Sequence, residues 1–188
     1  MAEDATAPDA LITGTGVSGL AVRVDETLQV ATLRYFAREG EFASAVREVT
    51  ALALPQSQRA TVAPDGQLIL AWRSPTETLC LAGAPARLAQ LEARLGAATD
   101  GCLVNLTGAL KVVRVSGARV RELLCRLGGT ASVPQAGEAR RSRLADVAVL
   151  AVCVQGEKEA EVWLLVDRAY APHLLGWIRE TVADFVNA

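Results

Sequence analysis

LKVVRVSGARVRELLCRLGG, residues 110–129, is the stretch of this 188-residue chain that decides the fold. The β-branched run before Gly117 is typical of a strand. Apolar side chains then recur at helical spacing at Val120, Leu123, Leu124 and Leu127. Two glycines end the helix. The stretch therefore predicts a strand followed directly by a helix, and LRYFAREGEFASAVREV (33–49) repeats that order.

Working outward, each strand–helix pair is followed by two strands and a second helix. The first half continues with QLILAWR (67–73), ETLCLAG (77–83), the helix PARLAQLEARL (85–95) and the strand CLVNL (102–106). The second half continues with LADVAVLAVCV (144–154), EVWLLVD (161–167) and a helix over 170–186. Ser74-Pro75-Thr76 and the segment QGEKEA give each strand pair a hairpin pattern. This order is the split βαβ, or ferredoxin-like, motif.

The predicted fold class is therefore α+β, with two ferredoxin-like halves, the second lacking its last strand. We expect residues 1–18 to be a flexible leader, 19–107 to form the first half and 108–188 the second. The first half opens with a strand at LAVRV (20–24). The segment 135–143, QAGEARRSR, is polar and is predicted to be a loop.

Composition excludes several classes of function. Hydrophobic residues make up 51% of the chain but aromatic residues only 4%, so Val, Leu and Ala must fill the core. A net charge of -2 gives no electrostatic footprint for nucleic acid or a membrane surface. The acidic N-terminus argues against a signal peptide, and no apolar run is long enough to span a bilayer. We therefore expect a soluble, cytoplasmic protein.

The four cysteines show no spacing typical of a metal or redox motif. They are Cys80, Cys102, Cys125 and Cys153, separated by more than twenty residues each. All four have apolar neighbours, so we expect buried free thiols in a reducing compartment.

Two motifs fail as catalytic or cofactor sites. Gly14, Gly16 and Gly19 spell the G-x-G-x-x-G of dinucleotide sites, but the residues after them alternate like a strand instead of opening a helix. A glycine-rich loop is the better interpretation. His173 is the only histidine and has no serine or cysteine beside it. We therefore predict no catalytic, cofactor-binding or metal-binding residue in this chain.

The arginine cluster Arg140, Arg141 and Arg143 is the strongest candidate for binding. Such a cluster suits a phosphate or carboxylate clamp, a solvated loop or a subunit contact. The contact is the favoured interpretation, and Arg168 is expected on the same surface. Trp72 and Pro75, in the turn between two predicted strands, are further candidates for a subunit interface.

The ordered segments resemble a known superfamily. LVNLTGALKVVRVSGARVRELLCRLGG (103–129) resembles a run of the glycine cleavage T-protein superfamily. LILAWRSPTETLCLAG (68–83), SRLADVAVLAVCV (142–154) and VWLLVDRAYAPHLLGWI (162–178) are similar to one branch, the gamma subunits of heterotetrameric sarcosine oxidase. The resemblance covers about residues 25–186.

The resemblance implies a T-protein-like fold and a non-catalytic subunit in oxidative demethylation of sarcosine. It also implies partner subunits, alpha, beta and delta, which hold FAD, FMN, NAD, tetrahydrofolate and zinc, with none of these in this chain. Asn105 stands where folate-using relatives carry Asp, and an amide cannot act as their carboxylate would. Two alternatives stay open: a free-standing T-protein-like folate-binding protein, or a small subunit of a related methylamine or betaine demethylase.

Overall fold

Two five-stranded antiparallel sheets form the centre of the molecule. The computed structural model describes residues 19–155 and 160–186. The predicted leader, Gly14, Gly16 and the tip of the QGEKEA hairpin lie outside these residues. Gly19 precedes a strand, as the alternating sequence predicted, and no helix starts there.

The first half has the strand order of a ferredoxin-like motif. Its elements are β2 (Gln29–Tyr35), α1 (Glu41–Thr50), β3 (Ala60–Val62), β4 (Leu68–Ser74), β5 (Glu77–Ala82), α2 (Pro85–Leu95) and β6 (Gly101–Asn105). The sheet order is β3-β4-β5-β2-β6. Without β3, the first and third strands of the motif lie at the centre and the second and fourth outside them, as in a split βαβ unit. The predicted α+β fold class is confirmed.

The second half repeats this order with one strand borrowed from the start of the chain. Its elements are β1 (Ala21–Asp25), β7 (Leu110–Ser116), α3 (Val120–Gly128), β8 (Ala139–Leu144), β9 (Val147–Gln155), β10 (Ala160–Asp167) and α4 (Ala171–Val186). The sheet order is β1-β7-β10-β9-β8. β1 therefore occupies the position of the last strand, which the second half of the sequence lacks.

The predicted place of β1 needs a correction, because the sequence put this strand in the first half. It pairs antiparallel with β7, with Val22 opposite Val115. Burial explains the choice: Val22 is 3% exposed and packs in the core of the second half. The division of the chain between residues 107 and 108 stays a prediction.

Three apolar cores stack the elements into four layers. One core lies between α1, α2 and their sheet, and another between α3, α4 and theirs. The third joins the two sheets face to face and includes Ile69, Leu81, Leu150 and Leu165. Strand alternation explains the layering, since Leu68 and Leu70 face the helices while Ile69 and Ala71 face the other sheet.

Two strands were not predicted. β3 is only three residues long, and β8 occupies most of the segment predicted as a polar loop. β8 forms because Ala139 and Leu144 are buried and its backbone pairs with β9. These interactions outweigh the preference of its polar side chains for a loop. Arg140, Arg141 and Arg143 therefore lie on an edge strand, where charged side chains are common.

An ion pair between Asp25 of β1 and Arg114 of β7 links β1 to the second sheet. Arg114 contacts the carboxylate of Asp25 and lies 3.7 Å from that of Glu161. The guanidinium also lies over the Trp163 ring, 3.9 Å from its centroid. Burial raises the pKa of Asp25, but hydrogen bonds from the Thr27 hydroxyl and amide, with the Arg114 charge, outweigh it and lower that pKa below its ordinary value of 3.8.

Replacing this carboxylate tests the ion pair. We expect Asp25→Asn to lower the free energy of unfolding at pH 7 by about 1–3 kcal/mol, because Arg114 loses its nearest partner. Because the pKa of Asp25 is lower in the folded state, its ionised carboxylate stabilises the protein above pH 3.8. This stabilisation is lost as the pH falls through the pKa of the folded state. The difference between wild type and variant should therefore shrink below that pH in urea denaturation curves.

The matched control is Glu26→Gln, which breaks the more exposed pair between Glu26 and Lys111. Exposed pairs contribute about 0–1 kcal/mol. Equal losses in the two variants, or a difference independent of pH, would contradict a stabilising Asp25–Arg114 pair.

Candidate functional site

An open cleft of about 600 Å³ is bordered by strands of both sheets. Its apolar lining comes from both sheets and includes Leu79 of β5 with Leu150 and Leu165 of β9 and β10. The charged and polar side chains at its rim are those of Arg73, Arg141, Arg143, Asp167 and Tyr170. We call this feature the arginine cleft.

Strand alternation places the charges of the arginine cleft. On β4, Ala71 packs between the sheets, and Arg73, at the irregular end of the strand where the register with β5 shifts, lines the cleft. On β8, Ala139 is in the same core and Arg141 follows it. The faces that pack between the sheets are therefore apolar at the centre and carry arginines at the edge.

The guanidinium groups of the arginine cleft are weakly engaged. Arg73 lies 3.9 Å from the Glu77 carboxylate, and Arg143 donates to the backbone carbonyl of Asp146. Within residues 19–155 and 160–186, no hydrogen bond or ion pair joins the Arg141 side chain to another group. Pairs this exposed contribute little to stability, so these arginines are free to bind an anion.

An apolar floor under a cationic rim suits a particular ligand chemistry. Arginine binds carboxylate and phosphate oxygens in a bidentate fork, and Asp167 sets the opposite charge at one side. Tyr170, 58% exposed, adds an aromatic face and a hydroxyl. Arginine and tyrosine are both enriched at protein interfaces. The arrangement fits an acidic, partly apolar surface of another protein.

The structure separates the three arginines that the sequence grouped together. Arg140 lies on the opposite face of β8, where it donates to Glu138 at 3.0 Å and to the Ala131 carbonyl at 3.1 Å. The Gln135 amide and the Arg140 charge hold the pKa of Glu138 below its ordinary value. Arg140 is thus held locally, while Arg141 and Arg143 line the cleft.

The other interface candidates lie around the cleft but not together. Trp72 is half-buried and by alternation faces the helix side of its sheet, away from Arg73. Pro75 is exposed in the β4–β5 turn. Arg168 follows the cleft residue Asp167 and donates to the Gly108 carbonyl at 3.4 Å. Their interface roles stay predictions.

Three residues of the cleft were missed from the sequence: Arg73, Asp167 and Tyr170. The alternation in ILAWR was a usable signal, because a buried run that ends in a charge on the same face marks the edge of a core. Nothing local could have shown that this edge meets Arg141.

The cysteine prediction needs one correction. Cys80 and Cys153 are buried, and burial raises the pKa of Cys80 to about 12 and also raises that of Cys153. Cys125 is partly buried. Cys102 is exposed on the edge strand β6, where no helix or strand among the described residues packs over it.

His173 lies exposed on α4, with its Nε2 atom 3.1 Å from the Ala145 carbonyl. No cluster of three His, Cys, Asp or Glu side chains that could hold a metal ion occurs in the described ranges. None of the helices described is long and apolar enough to cross a membrane.

Comparisons with known proteins identify the family. A family model described as the sarcosine oxidase gamma subunit family matches residues 34–184. No curated protein sequence matches this chain.

Among solved structures, the heterotetrameric sarcosine oxidase from Corynebacterium sp. U-96 contains a chain with 22% identity and a TM-score of 0.77. The alignment covers 91% of this chain and 87% of that one. The glycine cleavage aminomethyltransferase T of Bartonella henselae matches at 12% identity with a TM-score of 0.65, over 86% of this chain. The chain spans 45% of that aminomethyltransferase. These similarities confirm the predicted T-protein-like fold.

Proposed function

The chain belongs to the sarcosine oxidase gamma subunit family, and we propose that it is a non-catalytic subunit of a heterotetrameric sarcosine oxidase. The observation that carries this proposal is the family match over residues 34–184. The fold agrees, because its similarity to a chain of a heterotetrameric sarcosine oxidase extends over both halves.

The proposed partners are the alpha, beta and delta subunits of the same oxidase. In this proposal they carry FAD, FMN, NAD, tetrahydrofolate and zinc, and they oxidise sarcosine to glycine in the cytoplasm. This chain would stabilise the arrangement of those subunits by contact alone.

The arginine cleft is the proposed contact for one of these partners. Its three guanidinium groups lie at the rim of an apolar floor, and no ion pair or hydrogen bond joins the Arg141 side chain to another group in the residues described. An acidic segment with apolar side chains would pair with the rim and cover the floor. Such a contact should weaken with added salt, because its charges are exposed.

Charge reversal in the cleft tests this contact. We expect Arg141→Glu combined with Arg143→Glu to weaken binding to the alpha, beta and delta subunits at least tenfold, because each reversal places like charge against the acidic segment. The dissociation constant can be measured by surface interferometry on subunits co-expressed without this chain. Both side chains are exposed, so thermal stability should not change.

The matched control is Arg121→Glu combined with Arg179→Glu, which changes net charge equally on exposed helix surfaces. Equal weakening by both pairs would contradict a specific cleft contact. If the wild-type chain elutes apart from the other subunits and they are fully active without it, the gamma-subunit proposal itself fails. Titration with tetrahydrofolate should give no heat, whereas a folate-binding protein would release heat.

A further inference from the structure

The four edge strands of the two sheets differ in how they avoid pairing with other chains. Unprotected edges offer unpaired backbone groups, and natural proteins cover, shorten or charge them. β1 carries Arg23 and Asp25, and β8 carries three arginines. β3 has three residues, and residues 137–139 cross its edge through hydrogen bonds such as Ala60 N to the Gly137 carbonyl.

β6 has none of these protections. Its sequence is GCLVN, without a charged residue or a proline, and it pairs only with β2 in the part of the chain that the structure describes. Its outer edge therefore presents the backbone groups of an uncharged strand to solvent.

Among the residues that the structure describes, none covers the sheet face of β6 that points away from the helices. Val104 and Cys102 lie opposite Thr32 and Arg34 of β2, on the face that elsewhere packs against the second sheet. Here the second sheet does not reach, so Val104 is 41% exposed and Cys102 is exposed. Leu103 points the other way, into the core beneath α1 and α2.

An apolar cavity adjoins the start of β6. It measures about 490 Å³ and is lined by Arg34, Tyr35, Phe36, Thr76, Thr99, Gly101 and Cys102. The Arg34 charge is paired with the Glu77 carboxylate at 3.0 Å. Phe36, at the end of β2, is 86% exposed. Phe36 and Cys102 line the same cavity beside a strand edge, so they form a joined apolar surface, and joined apolar surfaces mark interaction sites.

We propose that β6 is a docking edge, to which an extended, uncharged segment of a partner subunit adds as a further strand. Backbone hydrogen bonds to β6 would supply part of the affinity. Apolar side chains of that segment would cover Val104, and a large one beside Gly101 would enter the cavity and contact Phe36. The inference rests on the proposed function, because it takes the occupant from the same oxidase.

A second copy of this chain fits the edge less well. Antiparallel self-pairing centred on Leu103 would set Gly101 of one copy against Asn105 of the other. Asn105 is polar and exposed, and its side-chain oxygen already accepts the Thr107 amide at 2.9 Å. Self-pairing would also leave the cavity empty and Phe36 uncovered. A partner segment with an apolar side chain at this position would fill the cavity and cover Phe36.

The experiment places a charge on the edge. We expect Val104→Lys to weaken binding of the other oxidase subunits at least tenfold, measured against wild type by interferometry. The control is Val62→Lys on β3, the opposite edge of the same sheet, where the valine is 40% exposed. That variant should bind within twofold of wild type. Complex formation should also slow hydrogen exchange of the amides of residues 101–105, but not of residues 21–25.

The outcomes separate this inference from the proposed function. If the wild-type chain binds none of the other subunits, the proposed function fails. If wild type binds and Val104→Lys binds equally, with residues 101–105 unprotected, the docking edge alone is wrong. A wild-type dimer in sedimentation that Val104→Lys converts to a monomer, with partner binding unchanged, would assign the edge to a second copy and overturn the proposal.

Discussion

Replacing Gly117 with alanine is expected to lower the free energy of unfolding by at least about 3 kcal/mol. Gly117 has a φ of +116°, which side chains with a Cβ rarely adopt. A Cβ there would also lie less than 3.0 Å from the carbonyl of Gly19. Because that carbonyl accepts the Arg119 amide at 3.1 Å, the backbone cannot move aside without breaking the junction between β1, β7 and α3.

A matched glycine separates steric overlap from backbone strain. Gly66 also has a positive φ, +69°, but a Cβ there meets nothing within 4 Å. Gly66→Ala should therefore lose only about 1 kcal/mol. Urea denaturation followed by circular dichroism gives both values. Equal losses would mean that the close approach of Gly19 does not constrain position 117.

Most helices and strands could be predicted because their signals are local. The helix predicted over 85–95 is α2, Pro85–Leu95, since Pro85 suits the first turn and Leu88, Leu91 and Leu95 recur on one face. The two hairpins, β4 with β5 and β9 with β10, are confirmed by their antiparallel registers. In each case the spacing of the buried residues can be recognised within a short continuous stretch of sequence.

The place of β1 could not be predicted in this way. Its alternating sequence specifies a strand but not a partner, and β7 lies about ninety residues away along the chain. The deciding contact is the burial of Val22 beside Val115, which no local pattern contains. The strands β3 and β8 were missed for a related reason. β3 is too short, at three residues, to show a period, and the polar side chains in the middle of β8 hide the burial of Ala139 and Leu144, so pairing with β4 and β9 identifies these strands.

The candidate site was half predictable. A cluster of arginines at positions 140–143 indicated binding, but the β-strand period divides it, because Arg141 and Arg143 face the cleft while Arg140 and Ser142 face the helices. Because residues 135–143 were predicted to form a loop, the alternation of these side chains was not considered. Arg73, from the other sheet, completes the rim only through the face-to-face packing of the two halves.

Replacing Val22 with aspartate is expected to lower the free energy of unfolding by about 3–4 kcal/mol and the melting temperature by about 10 °C. Val22 is 3% exposed and packs among apolar side chains in the core of the second half. An unpaired carboxylate there must either stay charged in an apolar environment or take up a proton, and both states cost free energy. Thermal unfolding by circular dichroism measures the loss.

The neighbouring residue supplies the control, because Ala21 lies on the same strand with its side chain exposed. Ala21→Asp should change stability by less than about 0.5 kcal/mol. Hydrogen exchange gives the more specific readout, since loosening of β1 should speed exchange of β7 amides, residues 110–116, while β2 amides, residues 29–35, stay protected. If Val22→Asp unfolds like wild type, or if β2 loses protection instead of β7, the strand does not complete the second sheet. The expected loss of protection in β7 would mean that the second sheet needs β1 from the start of the chain. A cut at residue 107 would then separate the second half from one of its own strands.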